Sequence, residues 1–383
     1  MKKIGILTYF GDYNNGTNLQ AYSVWKIVAK YHPADEVHIL NFHTWKHTWR
    51  PMLYWATPQS IKNDFVRRSK NIRFLQGLPL TDRRLITADV RQGWKFIDSF
   101  GFDKIYVGSD TLLELHRAQG DDITPYWLSD PYVKARKIMI AASSRNVDYG
   151  QLTPRQKELL AASVGSFSRM GVRDEATYKL IRQFAGETDR RLSIVPDPTF
   201  FYDIDPSPAA AYARRRGLDT CTKPIIYLHV ARDDHFAVPL AERLKAAGYL
   251  VASIRPFKPA DILMNDLSPF EYAGIFRYMH ATITHRFHDS IFSLKNVVPV
   301  LTYLPEGPHA TASGDSKYAS LLKDFGLYDT NLLRRRTALS ADAILEQLPV
   351  ALHAFEERRQ AIAEQLDAKR NALENFVKET TLI

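Results

Sequence analysis

Residues 268–302 read SPFEYAGIFRYMHATITHRFHDSIFSLKNVVPVLT. Ser268-Pro269-Phe270-Glu271 is a capping box with proline at the first helical position, which marks a helix start. Tyr272, Ile275, Phe276 and Met279 then recur at i, i+3, i+4 and i+7, the spacing of one buried helical face. A β-favouring run follows at 281–284, then the polar turn His285-Arg286-Phe287-His288-Asp289, a short helix at 290–295 and an apolar strand at 297–301. Helix, strand, polar turn, helix, strand is an α/β crossover. Its polar turn belongs at the carboxyl end of a parallel strand, where open α/β sheets bind ligands. Arg286 and the free N–H groups of the next helix suit an oxyanion. His288 exchanges a proton near neutral pH.

On the amino-terminal side the same alternation recurs. A strand at 4–8 leads into the loop Gly11-Asp12-Tyr13-Asn14-Asn15-Gly16-Thr17-Asn18. A helix follows with Ala21, Val24, Trp25 and Val28 as its apolar stripe and Thr17 or Asn18 as cap. With the strand at 36–42 this is the opening βαβ of a doubly wound sheet. The loop matches neither G-x-G-x-x-G nor the P-loop lysine pattern, so neither nicotinamide nor ATP is indicated. Strands at 103–107, 137–142, 168–172 and 193–195 continue the series. The first ends in Gly108-Ser109-Asp110, which either lets the backbone approach a ligand and presents a carboxylate, or uses Asp110 as a helix cap. The third runs into Arg173-Asp174-Glu175, an arginine followed by two acids suited to a helix's first turn.

The segment 43–95 mixes Trp45, Trp49, Trp55 and Trp94 with many basic residues and lacks periodicity. Aromatics packed inside are expected there, ahead of a membrane-surface flap or a single-stranded nucleic-acid site, because no nucleic-acid motif is present. A fresh series begins with a strand at 225–230 ending in Ala231-Arg232-Asp233-Asp234-His235, a helix at 237–247 and a strand at 249–254. After the 268–302 stretch come a Pro/Gly-rich loop at 305–314, a helix from Lys317 to Leu322, and a long charged helix at 348–378.

With 383 residues the chain exceeds one ordinary core. The expected division is 1–205 as an acceptor-side domain, 206–222 as linker, 223–345 as a donor-side domain and 346–383 as a helical tail. Two Rossmann-like α/β domains facing a cleft, the plan of B-type glycosyltransferases, are expected. The single cysteine, Cys221, rules out an internal disulfide and a cysteine-clustered zinc site. No metal-ligand spacing such as H-E-x-x-H occurs. No run is long enough for a membrane span, which points to a cytoplasmic protein. The net charge of +9 favours anionic partners. With the Trp/Arg-rich region, it makes peripheral contact with an anionic membrane an expectation to test by vesicle co-sedimentation at low salt.

Taken in order, these pieces resemble the polysaccharide pyruvyl transferase family over roughly residues 4–327. The resemblance rests on Gly11-Asp12-Tyr13-Asn14-Asn15-Gly16 with Leu19-Gln20-Ala21-Tyr22, on Val107-Gly108-Ser109-Asp110, and on Val172-Arg173-Asp174-Glu175. It continues through Asp197-Pro198-Thr199, Arg286-Phe287-His288 with Pro299, and Lys317. Three features depart from the family pattern, one being that Asp110 lacks the glutamine and tryptophan that often follow it. Asp289 stands where glycine usually follows the histidine, and Ile140-Ala141-Ala142-Ser143-Ser144 replaces a Tyr-Ala-Ser-Phe-Gly type element. The resemblance implies transfer of the pyruvyl group of phosphoenolpyruvate to two hydroxyls of a cell-surface sugar, free or lipid-linked, with release of phosphate and no metal or other cofactor. It places Arg286, Arg173, Lys317 and His285 at the donor, and His288 as acid–base residue. Asp110 would orient or deprotonate the acceptor, with Asp12, Asn18 and Ser109 beside it. A nucleotide-sugar glycosyltransferase on the same fold and a non-catalytic sugar-binding relative are the alternatives.

Overall fold

The computed structural model describes residues 1–11, 14–44, 58–115, 118–129, 132–145, 147–230, 235–304, 317–333 and 339–383. Asp12, Trp45, Trp49, Trp55, the turn 231–234 and the loop expected at 305–314 lie outside the described residues.

The chain forms two α/β units. Met1–Pro51, Gln76–Tyr202 and Lys369–Ile383 make the first; Met52–Leu75 and Asp203–Ala368 make the second. The first unit holds seven strands: β1 (Lys3–Leu7), β2 (Glu36–His43), β3 (Leu80–Ile86), β4 (Lys104–Val107), β5 (Arg136–Ala142), β6 (Phe167–Val172) and β7 (Leu192–Ile194). Their spatial order is β3-β2-β1-β4-β5-β6-β7, and every pairing is parallel. The second holds β8 (Ile225–His229), β9 (Leu250–Ser253), β10 (Ile262–Leu263), β11 (Ala281–Thr284), β12 (Val300–Tyr303) and β13 (Leu332–Leu333). They are ordered β10-β9-β8-β11-β12-β13, again all parallel.

Both orders reverse once, between β1 and β4 and between β8 and β11. Those reversals open a crevice at the carboxyl ends of the strands, the place where doubly wound sheets bind ligands. Parallel strands covered by helices on both faces need continuous apolar runs. Ile4, Ile6, Leu7, Ile105, Tyr106 and Val107 are fully buried, as are Ile226, Tyr227, Leu228 and Ile283. The two Rossmann-like sheets expected from the sequence are present.

The 268–302 stretch folds largely as its sequence dictates. Ser268 and Glu271 form the capping box of the helix Pro269–Ile275, which a 3₁₀ turn Phe276–Tyr278 extends. The second helix begins earlier than expected, at Phe287, with Arg286 as its cap residue. His288 and Asp289 therefore stand on a helix's first turn. The following strand starts late, at Val300, because Val297 takes a left-handed turn conformation (φ 56°).

Other expectations need correction. The 206–222 stretch is no plain linker. Asp205 caps the helix Pro206–Arg216, whose Ala209, Tyr212 and Ala213 are buried in the second unit. Its proline marks a first helical turn. The 43–95 region hides an edge strand, β3. Asp82, Arg83 and Arg84 are exposed on it and erase the period-two signal. That region also contributes the helix Pro58–Gln76, most of which belongs to the second unit. Trp94 is buried, and its Nε1–H donates to the Pro125 carbonyl at 3.0 Å, which is packing and not a surface flap. The closing helix is two, Ala341–Glu357 and Arg359–Thr381, and its last part belongs to the first unit. Asn14, not Thr17 or Asn18, caps the helix Asn15–Tyr31.

Candidate active site

In the second unit, His229 ends β8 and sits opposite Thr284, the last residue of β11, directly at the reversal of strand order. From Thr284 the chain turns through His285 and Arg286 into the helix Phe287–Lys295. Arg286 has extended geometry and gives that helix no side-chain cap; its own N–H donates to the Thr284 hydroxyl at 2.9 Å. The first-turn N–H groups stand at the sheet's carboxyl edge next to Arg286, an arrangement that favours an anion. The Nε of Arg286 is buried and makes no hydrogen bond among the described residues. His288 lies on the same turn, half-buried, its ring edge-on to Phe287. Lys317 opens the helix Lys317–Asp324 and holds its ammonium 4.9 Å from the Phe287 ring centre. Arg286, His288 and Lys317 therefore share one neighbourhood.

His285 belongs there in position but not in charge. It is buried, its Nδ1–H donates to the His229 carbonyl at 2.9 Å, and Tyr318 donates to its own carbonyl at 2.7 Å. Burial, with His229 and Arg286 beside it, drives its pKa down to about 2. A neutral imidazole committed to the backbone contributes no positive charge to a donor site, so the expected anion-binding role gives way to one of fixing the turn.

Asp289 does not cap the helix. Fully buried on the first turn, it accepts hydrogen bonds from Nδ1–H of His229 at 2.6 Å, from the Thr284 hydroxyl at 2.8 Å and from the Tyr272 hydroxyl. Burial alone would raise its pKa. His229 and the hydroxyl donors overcome this and hold the carboxyl below its usual range. His229 stays neutral, because burial outweighs the Asp289 carboxylate and Arg286 and Arg255 add to the lowering. Nothing in the local sequence singles out His229 or the Tyr272 hydroxyl. One ends an apolar run and the other belongs to a buried helical stripe, and only the strand order brings them to Asp289.

The first unit carries a second cluster at its own reversal point. Gly108 follows β4 at φ 137°, and a Cβ there would stand 1.9 Å from the Ile140 carbonyl oxygen, so only glycine fits. Asp110 follows at φ 90°, pinned to the strand after it by a bridge to Ala142. Its carboxylate accepts from Thr111 N–H at 2.8 Å and from the Thr17 hydroxyl at 3.5 Å, and Arg173 lies 3.5 Å away. Arg173 itself is buried, with its strongest contact to Asp197 at 2.9 Å. Burial opposes its charge, and Asp197, Asp110 and Asp174 overcome that and raise its pKa. Asp197 is held in turn by Gln20 at 2.7 Å and by the hydroxyl and N–H of Thr199. The guanidinium is paired with Asp197 and lies beside Asp110 within the first unit. Asn18 is buried and accepts from Gly11 N–H at 2.9 Å, which shapes the loop. Ser109 is fully buried. Asp110, with its side chain 17% exposed, is the member of this cluster that reaches solvent.

Among the described residues no group of three or more His, Cys, Asp or Glu is arranged to hold a metal, and no helix is long and apolar enough to cross a membrane.

Comparison with known proteins follows the same line. Solved structures of UDP-GlcNAc 2-epimerases from Neisseria meningitidis, bound to UDP-GlcNAc, and from Methanocaldococcus jannaschii each match the whole chain over their own full length. The TM-scores are 0.54 and 0.53, at 12% and 11% sequence identity. At that identity the likeness shows the fold alone: two Rossmann-like domains of the B-type glycosyltransferase kind. No curated protein matches the sequence. The family model for polysaccharide pyruvyl transferases matches residues 14–305, which include Asp110, Arg173, Asp197, Arg286 and His288. The chain belongs to the polysaccharide pyruvyl transferase family.

Proposed function

We propose that the protein transfers the pyruvyl group of phosphoenolpyruvate to a sugar of a cell-surface polysaccharide or its lipid-linked precursor, forming a cyclic ketal and releasing phosphate. The observation that carries this reading is the uncapped helix Phe287–Lys295 at the β8/β11 reversal, with Arg286 at its mouth, His288 on its first turn and Lys317 against Phe287. Phosphoenolpyruvate brings a carboxylate and a phosphate. A helix amino terminus, a guanidinium and an ammonium meet both with charge-assisted hydrogen bonds. His288 gives the enol carbon its proton. Each step uses a side chain, and phosphoenolpyruvate is the donor substrate with no further cofactor. The basic charge of +9 suits an acceptor presented at an anionic membrane surface.

The test is phosphate release from phosphoenolpyruvate with a panel of methyl hexosides. Release should require an acceptor, and both His288→Ala and Arg286→Ala should lower it by about 100-fold or more. The solved structures of similar fold include an epimerase bound to UDP-GlcNAc. Tight UDP-GlcNAc binding without any phosphate release would therefore replace this reading with a nucleotide-sugar enzyme.

A further inference from the structure

Resting on the pyruvyl-transfer reading, we propose that His229, oriented by Asp289, is a second proton acceptor of the active site and takes the proton of an acceptor hydroxyl through Nε2. The chemistry needs such a group. Ketal formation makes two bonds from acceptor oxygens to C2 of phosphoenolpyruvate and breaks the bond from C2 to the phosphate oxygen. Two hydroxyl protons are lost: one ends on C3, turning methylene into methyl, and the other leaves on phosphate. A single imidazole carries one proton at a time, so His288 serves C3 and the first hydroxyl, and the second hydroxyl needs its own base.

His229 meets the geometric demands on that base. It ends β8 at the reversal of strand order, level with Thr284 and one turn from Arg286. It is nine-tenths buried, and its Nδ1–H is committed to Asp289 at 2.6 Å. This fixes the tautomer, so Nε2 carries the lone pair. That nitrogen is buried and makes no hydrogen bond among the described residues, a state that calls for a ligand or a reaction role. Asp289 is itself locked by Tyr272 and Thr284 and stabilises the imidazolium that forms, as the aspartate of a serine-protease triad does. The proton then passes to the departing phosphate, which leaves as the dianion.

Two variants separate this role from packing. In His229→Asn the amide nitrogen replaces Nδ1 and still donates to Asp289, but nothing stands at Nε2. Its kcat for phosphate release with the methyl glycosides of galactose, mannose and glucose should fall about 100-fold or more, with the Kd for phosphoenolpyruvate unchanged within about threefold. Asp289→Asn turns the imidazole toward the wrong tautomer and should also lower kcat while sparing Kd. The groups facing His229 are Asp289, the Tyr227 hydroxyl at 3.4 Å, the His285 ring at 5.4 Å between centres, Arg286 and Arg255. An acidic limb in the wild-type kcat profile belongs to His229 if His229→Asn lacks it. A kcat within about threefold of wild type in His229→Asn overturns the proposal. Should that variant not fold, an unchanged kcat in Asp289→Asn overturns it equally. Wild type that releases no phosphate with any glycoside overturns the pyruvyl-transfer reading, and this inference with it.

Discussion

At the scale of single residues, the second unit keeps two buried histidines neutral beside an ionised Asp289. For His285 the folded pKa is about 2, far below the unfolded value near 6.5. A depressed histidine contributes stability that is complete above about pH 6.5 and is lost progressively as pH falls toward 2, because the unfolded chain binds the extra proton. His229 acts in the same direction. Urea denaturation between pH 6 and 4.5 should show stability falling, with His285 adding up to about 1.4 kcal/mol per pH unit. His285→Gln should flatten that slope by about one proton; an unchanged slope means the His285 ring is not held neutral. Individual residues were only partly legible in the sequence. Arg286 and His288 declared themselves because they are polar and clustered at a predicted turn. The resemblance placed Arg173 at the donor, and the sequence hid its pairing because Asp197 lies twenty-four residues on and is joined to it only in the fold. His229 was silent for the same reason.

At the scale of elements, local chemistry was the surest guide. The capping box at Ser268 formed as written, since its partners are three residues apart and need no tertiary context. Boundaries set by tertiary pairing were misread, as with the edge strand β3 and the early start of the helix at Phe287. The end of β4 offers a sharp test. Gly108→Ala would push a Cβ into the Ile140 backbone carbonyl, which cannot swing aside as a side chain can, and should prevent soluble accumulation. Ser268→Ala loses only one cap hydrogen bond and should cost about 1 kcal/mol, read as a lower denaturation midpoint. Equal losses in the two variants would contradict the packing described for β4.

At the scale of the whole molecule, two parallel sheets with one reversal each were legible because alternating strand and helix patterns dictate them. Which segment belongs to which unit was not, since the chain passes between them more than once. Residues 369–383 show the consequence. Leu373, Phe376 and Val377 are buried in the first unit, Phe376 against Gly171 of β6, and Glu374 pairs with Lys30 at 2.9 Å. Each apolar side chain contributes about 1.5–3 kcal/mol. Deleting 369–383 should therefore expose amides of β4 and β6 to hydrogen exchange while those of β8 and β11 stay protected; protection retained in β4 and β6 would refute that assignment. Pyruvyl transfer itself is tested by NMR of the product formed from phosphoenolpyruvate labelled with carbon-13 at C3. With a methyl hexoside present, the labelled methylene should become a methyl group on a sugar-bound ketal, one for each phosphate released. Labelled free pyruvate, or unchanged phosphoenolpyruvate with every acceptor, would contradict it.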